Sequence, residues 1–148
     1  RPRRPGGPPI LIGGNGLKKT LPLVARYADE WNAVYLTPDG CRERNRLLDE
    51  LLVQAGRRPG DVKRSLMTQM VFGRDDAQVK AKLEKFPEPS EKLLEWNRVV
   101  GTPPQVVDQI GAYAEAGVQR FMFMWQDQTD IDGLEGLAQT VLPHFHAA

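Results

Sequence analysis

Apolar positions along this chain alternate between short solid runs and longer stripes at helical spacing. Residues 8–13 read P-P-I-L-I-G, a continuous apolar run closed by glycine. Such a run fits a strand buried on both faces, as a parallel sheet requires. Beyond the turn Gly13-Gly14-Asn15-Gly16, the positions Leu17, Leu21, Val24, Ala25 and Ala28 predict one buried helix face. Pro22 falls in the first turns of that helix, where a missing backbone N–H costs least. W-N-A-V-Y-L over residues 31–36 predicts a second strand.

Thr37-Pro38-Asp39 then starts a helix, with Thr37 as N-cap and Pro38 at the first helical position. Leu47, Leu48, Leu51, Leu52 and Ala55 form its expected buried face, and Gly56 stops it. Residues 63–72 predict a third strand, ended by Gly73. The charged stretch 74–100 predicts one or two helices broken by Pro87 and Pro89, a helical surface insertion rather than core. Gly101-Thr102-Pro103-Pro104 repeats the Thr-Pro helix start. Val106, Val107, Ile110, Tyr113 and Ala114 give that helix its apolar face, and Gly117 its stop. R-F-M-F-M-W over residues 120–125 predicts a fourth strand. A final helix from about Asp130 is expected to bury Leu134, Ala138, Val141 and Leu142.

The order β-α-β-α-β-α-β-α, with crossovers long enough for parallel pairing, defines an α/β architecture. Four β/α units amount to half of a (β/α)8 TIM barrel, whose usual length is about 250 residues. The expected division is a flexible basic leader over residues 1–7 and a (β/α)4 half-barrel over residues 8–148. A half-barrel exposes two sheet edges and an inner face, so it should pair with another copy or with a missing N-terminal half. The chain opens on Arg1 rather than Met, which points to a fragment, a processed product or an unusual gene boundary.

Composition narrows the function classes. With 148 residues, 41% hydrophobic and 26% charged, the chain can build one core of ordinary globular type. A net charge of +1 gives no electrostatic reason to expect nucleic acid. Arg1, Arg3 and Arg4 are interleaved with Pro2 and Pro5 and read as a flexible leader rather than a binding arm. Cys41 is the only cysteine, which excludes an intramolecular disulfide and fits a reducing, cytoplasmic setting. No apolar run approaches the roughly 20 residues of a membrane helix.

The glycine turn after the first strand carries the clearest chemistry. Backbone N–H groups beside a helix N-terminus attract anions, and glycines let a phosphate approach the backbone. The dinucleotide-binding fingerprint fails, because Lys19 stands where its third glycine belongs, and a Walker A loop fails because Leu17 precedes Lys18. A ligand-free tight turn remains the alternative.

I-L-I-G-G-N-G-L-K-K-T-L over residues 10–21, followed by A-R-Y-A-D-E-W-N over residues 25–32, resembles the luciferase-like monooxygenase superfamily. Within it, the branch that uses coenzyme F-420 is most similar. A-G-R-R-P at residues 55–59, G-T-P-P-Q-V-V from Gly101 and A-E-A-G-V from Ala114 extend the resemblance in order along the chain. Glu30 departs from the pattern, which often has glycine there. The resemblance implies the C-terminal half of the barrel, strands five to eight. It also implies a cofactor lying across the C-terminal strand ends, with its phosphate at Gly13, Gly14, Asn15 and Gly16 and with Asn32 near the same end. Coenzyme F-420 is the implied cofactor and FMN the alternative, with hydride transfer to or from a small organic substrate as the reaction. No catalytic residue is implied, because the family's catalytic groups come largely from earlier strands.

Other tempting residues carry less. Trp31, Trp125 and the pair Met122/Met124 fit core layers better than a ring-stacking wall. His144 and His146 lack an acid or cysteine at ligand spacing, and Asp127, Asp130 and Asp132 fit loop and N-cap chemistry better than calcium, so no metal site is expected. Cys41 lies in a first helical turn with no visible base and reads as inert. Two rival readings stand beside the oxidoreductase. One is a non-catalytic half-barrel that self-associates or binds phosphorylated ligands. The other, a phosphosugar isomerase or aldolase barrel, leaves the A-D-x-W-N and G-T-P motifs unexplained.

Overall fold

The computed structural model describes residues 7–85 and 97–145. The basic leader lies outside the described residues except for Gly7, as do Pro87, Pro89 and His146. In chain order the elements are β1 (Leu11–Gly13), α1 (Thr20–Tyr27), β2 (Glu30–Val34), α2 (Pro38–Gln54), a 3-10 turn (Pro59–Asp61), β3 (Lys63–Phe72), α3 (Asp76–Glu84), β4 (Val99–Gly101), α4 (Pro103–Glu115), β5 (Arg120–Trp125), α5 (Ile131–Thr140) and a closing 3-10 turn (Leu142–His144). Strands and helices alternate, and the strand pairs with a determined register are parallel. The α/β class expected from the periodicity holds.

The chain divides into two compact units, Arg1–Met67 with Ala116–Met122, and Thr68–Glu115 with Phe123–Ala148. In the first unit, β1 pairs with β2 from Leu11↔Glu30 to Gly13↔Asn32, and β2 pairs with the start of β3 from Glu30↔Lys63 to Val34↔Met67. Its core joins Leu21, Val24 and Ala25 of α1 with Leu48 and Leu52 of α2 and the strand residues Trp31, Ala33 and Leu66. Burial of these side chains, at roughly 1.5–3 kcal/mol for each large one, is the main force holding the helices to the strands. Thr37 caps α2 as its sequence demands, its Oγ1 accepting the Gly40 N–H at 3.0 Å, with Pro38 at the first helical position.

The G-R-R-P segment has a clear structural task. Gly56 takes φ 73 just beyond α2, a conformation glycine adopts without strain. The Arg57 guanidinium then donates to the carbonyls of Ala25 at 3.1 Å and Ala28 at 2.9 Å, at the end of α1. A cation on carbonyls left unpaired by a helix end is doubly favourable. Glu30, the departure from the family pattern, sits within regular β2 and accepts a hydrogen bond from Arg120 Nη1 at 3.1 Å.

In the second unit, β4 pairs with the end of β3, from Met70↔Val99 to Phe72↔Gly101. Strand β5 also pairs with β3. Val106, Ile110 and Tyr113 of α4 supply the buried helical face, together with Val99, Phe72 and Val141.

Several expectations need correction. The apolar run around β1 is not buried on both faces, since Ile10 and Leu11 are exposed, and Ala55 and Ala114, expected on buried helix faces, are exposed as well. Leu17 precedes α1 and is exposed rather than part of its buried face. Residues 99–101, read as the end of a helical stretch, form a strand with Val99 fully buried. Helix α5 turns Gly133 and Gly136 inward, while Leu134 and Leu142 are exposed. The cause is close packing: a Cβ at Gly136 would lie 3.1 Å from the Phe72 ring and 3.2 Å from Arg74 Nε. That gap admits only glycine comfortably, so the leucines face outward.

Candidate functional site

The β1–α1 turn is built from glycines and held from β2. Gly14 takes φ +114, in a region that L side chains rarely adopt. Its N–H donates to the Asn32 carbonyl at 3.0 Å, extending the β1–β2 ladder one residue into the turn. Its own carbonyl accepts the Trp31 indole N–H at 2.8 Å. Asn15 is tied at both ends of its amide: Nδ2 donates to the Val34 carbonyl at 2.7 Å, and Oδ1 accepts the Val34 N–H at 3.0 Å. The side chain therefore acts as one more rung of sheet. Gly16 follows, and a Cβ there would lie 2.8 Å from Thr20 Oγ1. Thr20, the first residue of α1, thus packs its hydroxyl against the turn.

The electrostatics of this turn favour an anion. Helix α1 begins at Lys19 without a side-chain cap and with no acid in its first turn. Within the helix the Leu21 N–H is already bonded to the Gly16 carbonyl at 3.0 Å and Pro22 has no N–H, so the positive end of the helix is presented through the turn just ahead of it, without a carboxylate to neutralise it. Lys18 and Lys19 stand exposed in the same turn. A carboxylate or phosphate would find backbone donors and two cations there.

The structure brings Gly13, Gly14, Asn15, Gly16 and Asn32 together, but in unequal roles. Gly13 sits opposite Asn32 in the strand register, and a Cβ on it would meet nothing closer than the Asn32 carbonyl at 3.8 Å. Space alone does not require glycine at that position. Asn32 reaches the turn through its backbone. Its side chain is buried, with Nδ2 donating to Ser65 Oγ at 3.0 Å and lying 3.6 Å from Met122 Sδ. Ser65 Oγ in turn donates to the Trp31 carbonyl at 3.2 Å.

Sequence reasoning missed several members of this site. Trp31 is 1% exposed, a core residue as expected, and it also braces the turn through its indole N–H. Lys18, Lys19 and Thr20 had a visible signal, since they directly follow the last glycine. Tyr35 had none: immediately after β2 it takes φ 51, a costly conformation for a bulky residue, with its N–H held on the Met67 carbonyl at 3.0 Å.

Elsewhere, Asp130 caps α5 by accepting the Gly133 N–H at 3.1 Å, while Asp127 accepts from Thr129. His144 lies exposed in the closing 3-10 turn. Cys41 is buried, and that burial pushes its thiol up to about 11. Among the described residues no cluster of His, Cys, Asp and Glu is arranged to hold a metal ion. No described helix is long and apolar enough to cross a membrane.

Comparison with known proteins adds a family and a fold. A model of the luciferase-like monooxygenase family matches residues 1–97. No curated protein matches the sequence. Among solved structures, the coenzyme F-420-dependent tetrahydromethanopterin reductase of Methanopyrus kandleri is similar with TM-score 0.73 and 17% identity, over 93% of this chain and 51% of that one. The EDTA monooxygenase of a Chelativorans species gives TM-score 0.75 and 17% identity, over 93% and 44%. The oxygenating constituent of 3,6-diketocamphane monooxygenase from Pseudomonas putida, solved in complex with FMN, gives 0.72 and 16%, over 96% and 50%. This chain spans about half the length of the structures it matches. At these identities the likeness shows the fold: β/α units with parallel strands, covering half of a luciferase-like barrel chain.

Proposed function

We propose that this chain, which belongs to the luciferase-like monooxygenase family, is the C-terminal, cofactor-holding half of an oxidoreductase that uses coenzyme F-420, with FMN as the alternative. The observation carrying this reading is the uncapped, lysine-flanked glycine turn between β1 and α1. In it, Gly14 shapes the turn, the N–H groups of residues 16–20 receive the cofactor phosphate, and Lys18 and Lys19 supply countercharge. Asn15 fixes the turn to Val34 so that its donors stay aimed at the anion. Asn32 acts through its carbonyl on Gly14 and through its buried amide on Ser65. When bound, the deazaflavin or flavin supplies hydride transfer to or from a small organic substrate. The protein supplies position and polarity, and the residues that touch the reacting atoms are assigned to the other half of the barrel. A lone, buried cysteine fits a reducing, cytoplasmic setting.

Two relatives whose names specify a cofactor, F-420 in one and FMN in the other, support the choice of cofactor class. The test is a titration of the purified 148-residue chain with F-420 and, separately, with FMN. Micromolar binding of either is expected, and Gly16→Val should weaken it while leaving the far-ultraviolet circular dichroism unchanged. A folded sample that binds neither cofactor overturns the claim that the turn works in this half alone. Binding that survives Gly16→Val moves the phosphate to another place.

The exposed apolar residues of the first unit call for a partner. Ile10, Leu11, Leu17, Leu23 and Tyr27, on and around β1 and α1, are between 45% and 60% exposed. A half-barrel would cover such a face with its missing N-terminal half or with a second copy.

A further inference from the structure

Within the second unit, a cavity of about 500 Å3 opens where β3 and β5 end. Its volume falls in the range of roughly 300–1,000 Å3 usual for small-ligand sites, and C-terminal strand ends are where α/β folds place ligands. The apolar lining is Met70, Val71 and Phe72 of β3 and the Trp125 ring at the end of β5.

Lys82 of α3 is fixed in place rather than free to meet a ligand's charge. Its Nζ donates to the Phe72 carbonyl at 2.9 Å and pairs with the Asp130 carboxylate. The same Asp130 carboxylate caps α5, and Nζ lies 5.7 Å from the centre of the Trp125 ring. Around the opening stand Lys85 and Asp127, both exposed. Hydrogen bonds from the Thr129 hydroxyl and N–H hold the Asp127 carboxyl below the usual carboxylate range, with Lys85 and Lys82 adding to the effect. The cavity thus carries two lysines and two aspartates, one pair fused and one at the rim, and no net charge.

We propose that this cavity binds a small organic molecule with a flat aromatic body and no net charge, its neutral or zwitterionic head meeting Lys85 and Asp127. An aromatic body suits the Trp125 and Phe72 rings, which pair best with other rings in offset or edge-on contact. Charge balance disfavours ions modestly: a ligand anion would meet Asp127 as well as Lys85, and a ligand cation Lys85 as well as Asp127. The cavity shares the C-terminal strand ends with the cofactor reading, but its lining lies in the second unit and its ligand requires no cofactor.

The test uses four probes that share one ring and differ in charge: L-phenylalanine, 2-phenylethanol, phenylacetate and 2-phenylethylammonium. Each is titrated into the 15N-labelled chain while the indole N–H of Trp125, assigned through Trp125→Phe, is followed by NMR. The zwitterion and the alcohol should shift that resonance with affinities about threefold or more above either ion, the scale of exposed charge interactions. Lys85→Met should lift the ammonium probe relative to phenylacetate, and Asp127→Asn should do the opposite. A Trp125 signal unmoved by all four probes overturns the site. Equal binding of all four, unchanged in both variants, overturns the charge selection. The cofactor reading is judged separately, through Gly16→Val in the first unit.

Discussion

Residue by residue, the clearest consequence of burial is at Cys41. Burial raises its thiol from an ordinary 9.0 to about 11, against the opposing pull of Arg44 and Arg42. The folded state therefore holds its proton more tightly than the unfolded chain, and stability contributed by the neutral thiol falls as pH rises from about 9 through about 11. Native protein at pH 8 should resist iodoacetamide, and unfolded protein at the same pH should react fully. Equal rates in the two states would show that the thiol is reachable. Local chemistry at this scale was largely legible in the sequence. The Thr37 cap, the Gly56 stop and the glycine turn all depend on neighbours within four residues. The pairings that finish the site depend on residues 17 to 19 positions away, such as Trp31 on Gly14 and Asn15 on Val34. No periodicity reports those.

At the scale of elements, glycines separate two kinds of helix surface. A Cβ added at Gly111 in α4 would meet nothing within 4 Å, whereas one at Gly136 in α5 would press on Phe72 at 3.1 Å. Gly111→Ala should therefore stabilise the protein by about 1 kcal/mol through helix propensity. Gly136→Val should destabilise it by about 1–3 kcal/mol through overpacking. Urea unfolding midpoints check both, and a shift of the same sign in the two variants would refute the assignment of their environments. The same contrast explains where element reading failed. Of the expected face Leu134, Ala138, Val141 and Leu142 only Val141 is buried, because hydrophobic periodicity counts side chains and is blind to the absence of one. Strand β4 was missed because V-V-G is too short to show any period. The long strand β3 was legible because the turn over residues 57–61 and Gly73 bracket it, although only Thr68, Val71 and Phe72 of its ten residues strongly favour strands.

For the whole molecule, the governing fact is that the chain spans about half of its structural relatives while its strand β1 and helix α1 carry exposed apolar side chains. Light scattering across a concentration series should give a mass above the monomer. Addition of an N-terminal half-barrel from a relative of the same family should convert that species to a one-to-one complex. A chain that stays monomeric at every concentration and ignores the added half would sink the half-barrel proposal. The α/β class and the family were legible because ordered motifs recur along the sequence. The proposed partner could be read only as a deficit, from edges that a half-barrel would leave open.

The double tether of Asn15 also sets a chemical clock. At Asn15-Gly16 the Gly16 backbone nitrogen can attack the Asn15 side-chain carbonyl carbon, ammonia leaves, and water opens the resulting succinimide to isoaspartate or aspartate. In the fold, both amide atoms are held by Val34, so cyclisation must wait until β2 lets go. Once it happens, an aspartate cannot donate to the Val34 carbonyl, and the rung is lost for good. Each molecule that has opened at this turn long enough to react would carry a permanent mark, so the deamidated fraction in an aged sample records how often the turn has come apart.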